Sequence, residues 1–164
     1  MANKVNAIMI DPETKNIYPI TVTGGAKGFK EIYEQVGCKH LEVGMTFQER
    51  NCLMYVDEEG WCHDSKRDTF DLQGVKVPSK AVIVKTNNDG YAIDFPTTEM
   101  FSLINSLVKD VEWLGKKSYD EVYANEELHE YTDEETIAYY QKQFGCDKAK
   151  AKQMMKLFGK VMGY

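Results

Sequence analysis

Carboxylates and tyrosines are concentrated in one stretch of the chain. YDEVYANEELHEYTDEE, residues 119–135, holds eight carboxylates and three tyrosines but no lysine or arginine. Carboxylates pair with arginines and lysines, and tyrosines supply rigid contact area at a low cost in side-chain entropy. Such a surface could occupy the basic groove of a partner protein. The residues assigned to it are Tyr119, Asp120, Glu121, Tyr123, Glu126, Glu127, Glu130 and Tyr131.

Lysines recur at every fourth position near the end of the chain, at Lys148, Lys152, Lys156 and Lys160. In a helix this spacing aligns them along one flank, where neighbouring like charges repel by roughly 0.2–0.5 kcal/mol per pair unless an anion lies alongside. That anion could be the acidic stretch of the same chain, a partner protein or a phosphate backbone. These lysines are therefore candidate ligands for a polyanion.

Composition limits the class of protein. The 164 residues suffice for a real core, and no apolar run approaches the length of a membrane span. A net charge of −6 argues against attraction of the whole surface to nucleic acid or to an anionic membrane. MANKVNAIMIDPETK lacks the apolar core and cleavage site of a signal peptide. We expect a cytoplasmic protein.

Local catalytic and metal-binding motifs are missing from the sequence. It contains no GxSxG, HExxH or P-loop, and GGAKGFK lacks the GK[ST] ending of a phosphate-binding loop. His63, Asp64 and Ser65 are consecutive, so they cannot form the relay of a catalytic triad. Catalysis by residues assembled across space stays open, but we predict a non-enzymatic protein without a cofactor.

The four cysteines, Cys38, Cys52, Cys62 and Cys146, include no CxxC pair. In a chain without an export signal they are expected to be reduced and buried. Cys38 with His40 and Cys62 with His63 could be imagined as two halves of a zinc site. Adjacent side chains in an extended segment point to opposite faces, which disfavours this arrangement. We predict no metal site.

Hydrophobic periodicity and turn residues predict an α+β sheet domain over residues 1–95. The predicted strands are residues 4–10, 17–23, 40–47, 52–56, 81–86 and 91–95, and the predicted helix is residues 27–37. DPETKN and NNDG mark two of the turns, and Gly37 marks the end of the helix. Residues 62–80 are expected to be a loop with one short strand. The result is ββαββ followed by a hairpin, an antiparallel or mixed sheet covered by one helix.

Residues 96–164 are predicted to be a helical extension of about three helices. The first spans residues 96–115, places Val111 and Leu114 among its core positions, and packs on the sheet. After the acidic segment, Thr132 and Glu135 form a capping box that opens a second helix. Asp147 caps a last helix over residues 148–162. Its apolar stripe is Ala151, Met154, Met155, Phe158 and Met162.

Over about residues 5–86 the chain contains the segments AIMIDPETKNIYPITVTG, YEQVGCKHLEV, LMYVDEEG and AVIVKT. In these segments it resembles a small domain family of unknown function encoded in phage and plasmid genomes. The shared features are Ile10, Asp11, Pro12, Val36, Gly37 and the turn at residues 57–60. The loop HDSKRDTFDLQG departs from the family, which usually has asparagine and a glycine-rich segment there. The resemblance supplies no catalytic residues and implies a mobile element in a bacterial cytoplasm.

Three hypotheses for the function follow. The first is a counter-defence protein that binds and inhibits a host factor, such as a CRISPR nuclease, through the acidic tyrosine-rich surface; an anti-CRISPR protein would be of this type. The second is a nucleic-acid-binding protein that uses the lysines of the last helix. The third is a small-molecule-binding or enzymatic sheet domain. The acidic stretch could also be a solvated helix face or a linker.

Overall fold

The structure is a computed structural model that describes residues 3–62, 65–123, 129–130, 132–158 and 162–163. The chain divides into two compact units, Met1–Val122 and Tyr123–Tyr164. The elements of the first unit, in chain order, are β1 (Lys4–Asp11), β2 (Asn16–Thr23), α1 (Gly28–Val36), β3 (Leu41–Phe47), β4 (Cys52–Asp57), β5 (Arg67–Leu72), β6 (Val75–Val77), β7 (Ala81–Thr86), β8 (Ala92–Ile93), α2 (Thr97–Asp110) and β9 (Val111–Lys117). A short helix, α3 (Tyr119–Tyr123), follows them.

Two antiparallel sheets form the first unit. The main sheet has six strands in the order β2-β1-β7-β4-β3, with β8 also paired to β7. The second sheet has three strands in the order β6-β5-β9. The fold class predicted from the sequence, an α+β protein with an antiparallel sheet and C-terminal helices, is confirmed.

Two hairpins of the main sheet form where the turn residues predict them. The Asp11 carboxylate accepts a hydrogen bond from the backbone N–H of Glu13 at 3.0 Å, between β1 and β2. The Asn87 side chain accepts from the N–H groups of Asp89 and Tyr91, both at 3.0 Å, between β7 and β8. Side-chain acceptors of this kind stabilise a reversal of the chain locally, without help from distant residues.

Helix α1 covers one face of the main sheet. The buried residues between them include Val5, Ala7, Met9, Ile32 and Val36. The helix ends at Gly37, whose φ of 78° favours glycine and whose N–H donates to the Tyr33 carbonyl. The predicted helix end is therefore confirmed.

The other face of the main sheet packs against α2 and the second sheet. Side chains alternate along a strand, so β1 turns Ile8 and Ile10 to this face. They meet a buried cluster that includes Met54, Phe70, Leu72, Ile83, Leu103 and Leu107. Helix α2 therefore belongs to the core of the first unit, and the expected packing of this helix on the sheet is confirmed.

Two segments differ from the prediction. Residues 62–80 were expected to be a loop with one short strand, but β5 and β6 form a hairpin there. The predicted helix over residues 96–115 ends at Asp110, and the residues that follow form β9. Strand β9 pairs with β5 and brings Trp113 opposite Phe70, with the ring centroids 6.3 Å apart. Val111 and Leu114 thus lie in a strand and not at helical core positions.

The division of the chain falls between Val122 and Tyr123, whereas the sequence suggested a boundary at Pro96. Helix α2 contributes four buried residues to the first unit, and β9 completes its second sheet. Both elements need the first unit as a packing partner.

The second unit is built on two helices, α4 (Asp133–Phe144) and α5 (Lys148–Phe158), with a strand pair, β10 (His129–Glu130) and β11 (Met162–Gly163). Thr132 and Glu135 form the predicted capping box at the start of α4. Gly145, with φ of 60°, ends this helix. In the described part of this unit, the buried hydrophobic side chains of the two helices include Ile137, Tyr140 and Ala151. Within the described residues, no helix has the length and apolar character needed to cross a membrane.

Candidate functional site

Three lysines form a row along α5. Lys148, Lys152 and Lys156 are all exposed and follow one another at intervals of about one helical turn. With a rise of 1.5 Å per residue, their Cα atoms span about 12 Å. In the part of the chain that the structure describes, none of the three makes an ion pair. We call these residues the lysine row; the predicted fourth member, Lys160, lies outside the described residues.

The local sequence explains why α5 presents these lysines. The Asp147 carboxylate accepts a hydrogen bond from the backbone N–H of Lys150 at 2.8 Å, which confirms the predicted cap. Ala151 is buried, and Met154 and Met155 are half-buried against α4. These three residues confirm the core side of the helix and leave the lysine row on the exposed flank.

The last helix was predicted over residues 148–162, whereas α5 is Lys148–Phe158. Met162 was expected to continue the apolar stripe of the last helix, but its backbone pairs with Glu130 in the strand pair β10-β11. The stripe is therefore shorter than the periodicity suggested.

The beginning of the acidic stretch is tied to the first unit. Glu121 forms an ion pair with Lys66 at 2.6 Å, and this contact lowers the pKa of Glu121. The ring of Tyr119 meets that of Trp61 edge-on, with the centroids 5.8 Å apart. Asp120 is exposed. Of the first two carboxylates of the stretch, Glu121 thus makes an ion pair within the chain and Asp120 lies at the surface.

The end of the acidic stretch has a structural role at the start of α4. Glu135 accepts a hydrogen bond from the Thr132 N–H at 2.9 Å, and Thr132 Oγ1 accepts one from the Glu135 N–H at 3.2 Å. Asp133 and Glu134 lie in the first turn, where the helix dipole favours negative charge. These acids have the local explanation that the sequence predicted.

Most residues in the middle of the acidic stretch lie outside the described part of the chain. Glu126, Glu127 and Tyr131 lie outside the described residues, and Glu130 is described only by its backbone in β10. Tyr123 is half-buried. Of the residues assigned to the acidic surface, the structure describes the side chains of Tyr119, Asp120, Glu121 and Tyr123, and the surface as a whole stays a prediction.

A second candidate site, which the sequence did not predict, is a cleft of about 330 Å³ in the first unit. Four cationic residues line it, Lys66, Arg67, Lys80 and Lys116, together with the acidic residues Glu13 and Asp68. Lys66 lies just before β5, Arg67 in β5, Lys116 in β9 and Lys80 just before β7. We call this cavity the basic cleft.

A buried carboxylate holds one of these cations. Asp57 is 8% exposed and forms an ion pair with Arg67, Nη1 to Oδ2, at 3.5 Å. The other carboxylate oxygen of Asp57 accepts the Glu59 N–H at 2.9 Å. The backbone N–H of Asp57 donates to Ser79 Oγ at 3.3 Å, and Ser79 is also buried. Hydrogen bonds of Asp57 thus hold its carboxylate where it pairs with Arg67.

The basic cleft has no local signature in the sequence. Its cations lie in segments from residue 66 to residue 116, and each looks like an ordinary surface charge. The pairing of β5 with β9, which places Asp68 opposite Lys116, is what brings them together. The cleft could have been predicted only if residues 111–117 had been recognised as a strand that pairs with β5.

All four cysteines are free thiols. Only Cys52 is buried; Cys38 and Cys146 are half-buried and Cys62 is exposed, so the expectation that all four are buried was wrong. Desolvation raises the pKa of the Cys38 and Cys52 thiols to about 11, which leaves them poor nucleophiles at neutral pH. Among the described residues, no three His, Cys, Asp or Glu side chains are grouped to hold a metal ion.

Comparison with known proteins adds no relative to this description: no protein-family model, curated protein or solved structure matches the chain. The resemblance to the phage and plasmid domain family therefore stays a prediction from the sequence.

Proposed function

We propose that the protein is a non-enzymatic binding protein whose lysine row contacts the phosphate backbone of nucleic acid. The observation that supports this most strongly is the exposure of three ammonium groups on one flank of α5, without an ion pair in the described part of the chain. Their mutual repulsion costs roughly 0.2–0.5 kcal/mol per neighbouring pair. A polyanion with several charges in line would remove that cost and gain attraction.

The contact is to phosphates and not to base edges. Lysine is a compact point charge that pairs with phosphate but carries little sequence readout. Binding should therefore show little sequence preference and should weaken steeply with salt. The net charge of −6 does not oppose this locally, because salt screens exposed charges beyond about 8–10 Å.

The acidic tyrosine-rich surface is the basis of a second proposal, that the protein inhibits a host nuclease by occupying its basic groove. Tyr119 is 53% exposed and Asp120 is exposed, which favours this proposal. However, Glu121, one of the carboxylates of this surface, is paired with Lys66. We place this proposal second because that carboxylate already has a partner within the chain.

Fluorescence anisotropy with labelled single-stranded and double-stranded oligonucleotides tests the first proposal. The variant K148Q/K152Q/K156Q removes the lysine row, and K27Q/K30Q/K109Q removes three exposed lysines of the first unit as a control with the same net charge. We expect wild type and control to bind and the lysine-row variant to lose at least about tenfold in affinity. Equal affinity of the two variants would contradict the proposal.

Capture of proteins from a bacterial lysate tests the second proposal. The variant D120S/E126S/E127S removes three acids of the acidic surface but keeps Glu121 and its ion pair. A nuclease captured by the wild type and lost with the variant would support inhibition through the acidic surface. Equal capture by both proteins would argue against it.

A further inference from the structure

We propose that the basic cleft binds a small phosphomonoester that carries hydroxyl groups, such as a sugar phosphate or the sugar-phosphate part of a mononucleotide. This site belongs to the first unit and is independent of the lysine row. Its cations lie on separate strands and loops, so the fold itself assembles the site.

Two cations of the cleft are open to an anionic ligand. Four cationic and two acidic residues line the cleft, and two of the cations, Arg67 and Lys66, pair with the carboxylates of Asp57 and Glu121. Lys80 and Lys116 make no ion pair within the described residues. Two ammonium groups are therefore available for a ligand at the same cavity.

Arg67 supplies the directional contact. Its ion pair with the buried Asp57 uses one nitrogen, Nη1, at 3.5 Å, and the side chain is 31% exposed. An arginine has five N–H donors in a rigid fork that suits the oxygens of a phosphate. A guanidinium held from behind by a buried carboxylate loses less side-chain entropy when it binds a ligand.

The size and polarity of the cleft narrow the ligand class. A volume of about 330 Å³ exceeds what a bare phosphate ion would fill and lies near the lower end of small-ligand pockets. The two carboxylates, Glu13 and Asp68, can accept hydrogen bonds from hydroxyl groups but would repel a second anionic group. A single phosphate on a hydroxyl-bearing body satisfies both sets of side chains.

Isothermal titration calorimetry of the full chain tests this inference. The probes are ribose 5-phosphate, AMP, inorganic phosphate and ribose. We expect binding of at least one of the two phosphomonoesters, weaker binding of inorganic phosphate and none of ribose. A preference between ribose 5-phosphate and AMP will show whether the cleft takes a free sugar phosphate or a nucleotide.

The variant K80Q/K116Q removes the two cations of the cleft that make no ion pair within the described residues. It keeps the ion pair between Arg67 and the buried Asp57. We expect it to lose at least about tenfold in affinity. K27Q/K30Q, with the same charge change, should bind as wild type does. Failure of wild type to bind either phosphomonoester at millimolar concentration would overturn the proposal, as would equal losses in K80Q/K116Q and K27Q/K30Q.

Discussion

At the scale of single residues, Glu31 is the ionisable group with the clearest structural role. Its carboxylate accepts hydrogen bonds from Lys4 Nζ at 2.8 Å, from the Thr23 N–H at 2.8 Å and from Thr23 Oγ1 at 2.5 Å. These contacts, that of Lys4 first, lower the pKa of Glu31 from 4.5 to about 2. The ionised carboxylate thereby joins helix α1 to the ends of β1 and β2.

The pKa of Glu31 predicts a pH-dependent part of the stability. Because the folded pKa is the lower one, the contribution is fully present above about pH 4.5 and is lost as the pH falls toward about 2. We expect E31Q to reduce the free energy of unfolding by about 1 kcal/mol at pH 7, a modest value because the side chain is 30% exposed.

Urea unfolding followed by tryptophan fluorescence measures this effect in the first unit, which contains both tryptophans, Trp61 and Trp113. The difference between wild type and E31Q should shrink as the pH falls from 4.5 toward 2. E34Q, an exposed neighbour on the same helix, should show no such trend. A difference for E31Q that is constant with pH would contradict the assigned role.

At the scale of elements, predictions succeeded where the signal was local. The Asp11 and Asn87 turns, the Gly37 helix end and the Thr132 capping box each depend on residues close in sequence. Strands β5 and β9 were missed because their identity depends on pairing between residues far apart in the sequence, as between Phe70 and Trp113. The apolar residues Val111 and Leu114 continue the helical spacing of the apolar residues in α2, so the sequence pattern does not show where the helix ends.

The same distinction separates the two candidate sites. The lysine row was predictable because a helix converts a four-residue repeat into one flank. The basic cleft was not, because Arg67 and Lys116 become neighbours of one cavity only after two strands have paired.

Helix α4 contains one side chain whose replacement should stabilise the second unit. Thr136 is fully buried, and its Oγ1 has no hydrogen-bond partner in the described structure. An unsatisfied buried hydroxyl costs free energy, and valine has nearly the same shape without it. We expect T136V to raise the free energy of opening of α4 by about 1 kcal/mol, measured by amide hydrogen exchange.

T136S is the matched control for this change, since it keeps the hydroxyl and removes the methyl group. It should destabilise α4 because it leaves a small void. Destabilisation by T136V would contradict this prediction, because it would show that the hydroxyl of Thr136 makes a stabilising hydrogen bond.

At the scale of the whole molecule, the first unit depends on the packing of α2 and the second sheet on the main sheet. Leu107 is 2% exposed in this layer, whereas the adjacent Val108 is 62% exposed. We expect L107A to reduce the free energy of unfolding by about 2–5 kcal/mol through lost burial and a cavity. V108A should change it by less than about 0.5 kcal/mol. Urea unfolding followed by tryptophan fluorescence compares the two, and similar losses would contradict the assignment of α2 to the core.

The salt dependence of oligonucleotide affinity tests the central claim most directly, because it counts the phosphates that the lysine row neutralises. For three contacts, the slope of log K against log salt concentration should be about −2 to −3 in the wild type and close to zero in K148Q/K152Q/K156Q. The control K27Q/K30Q/K109Q should keep the wild-type slope. Equal slopes for the wild type and the lysine-row variant would contradict the claim that the row binds the phosphate backbone.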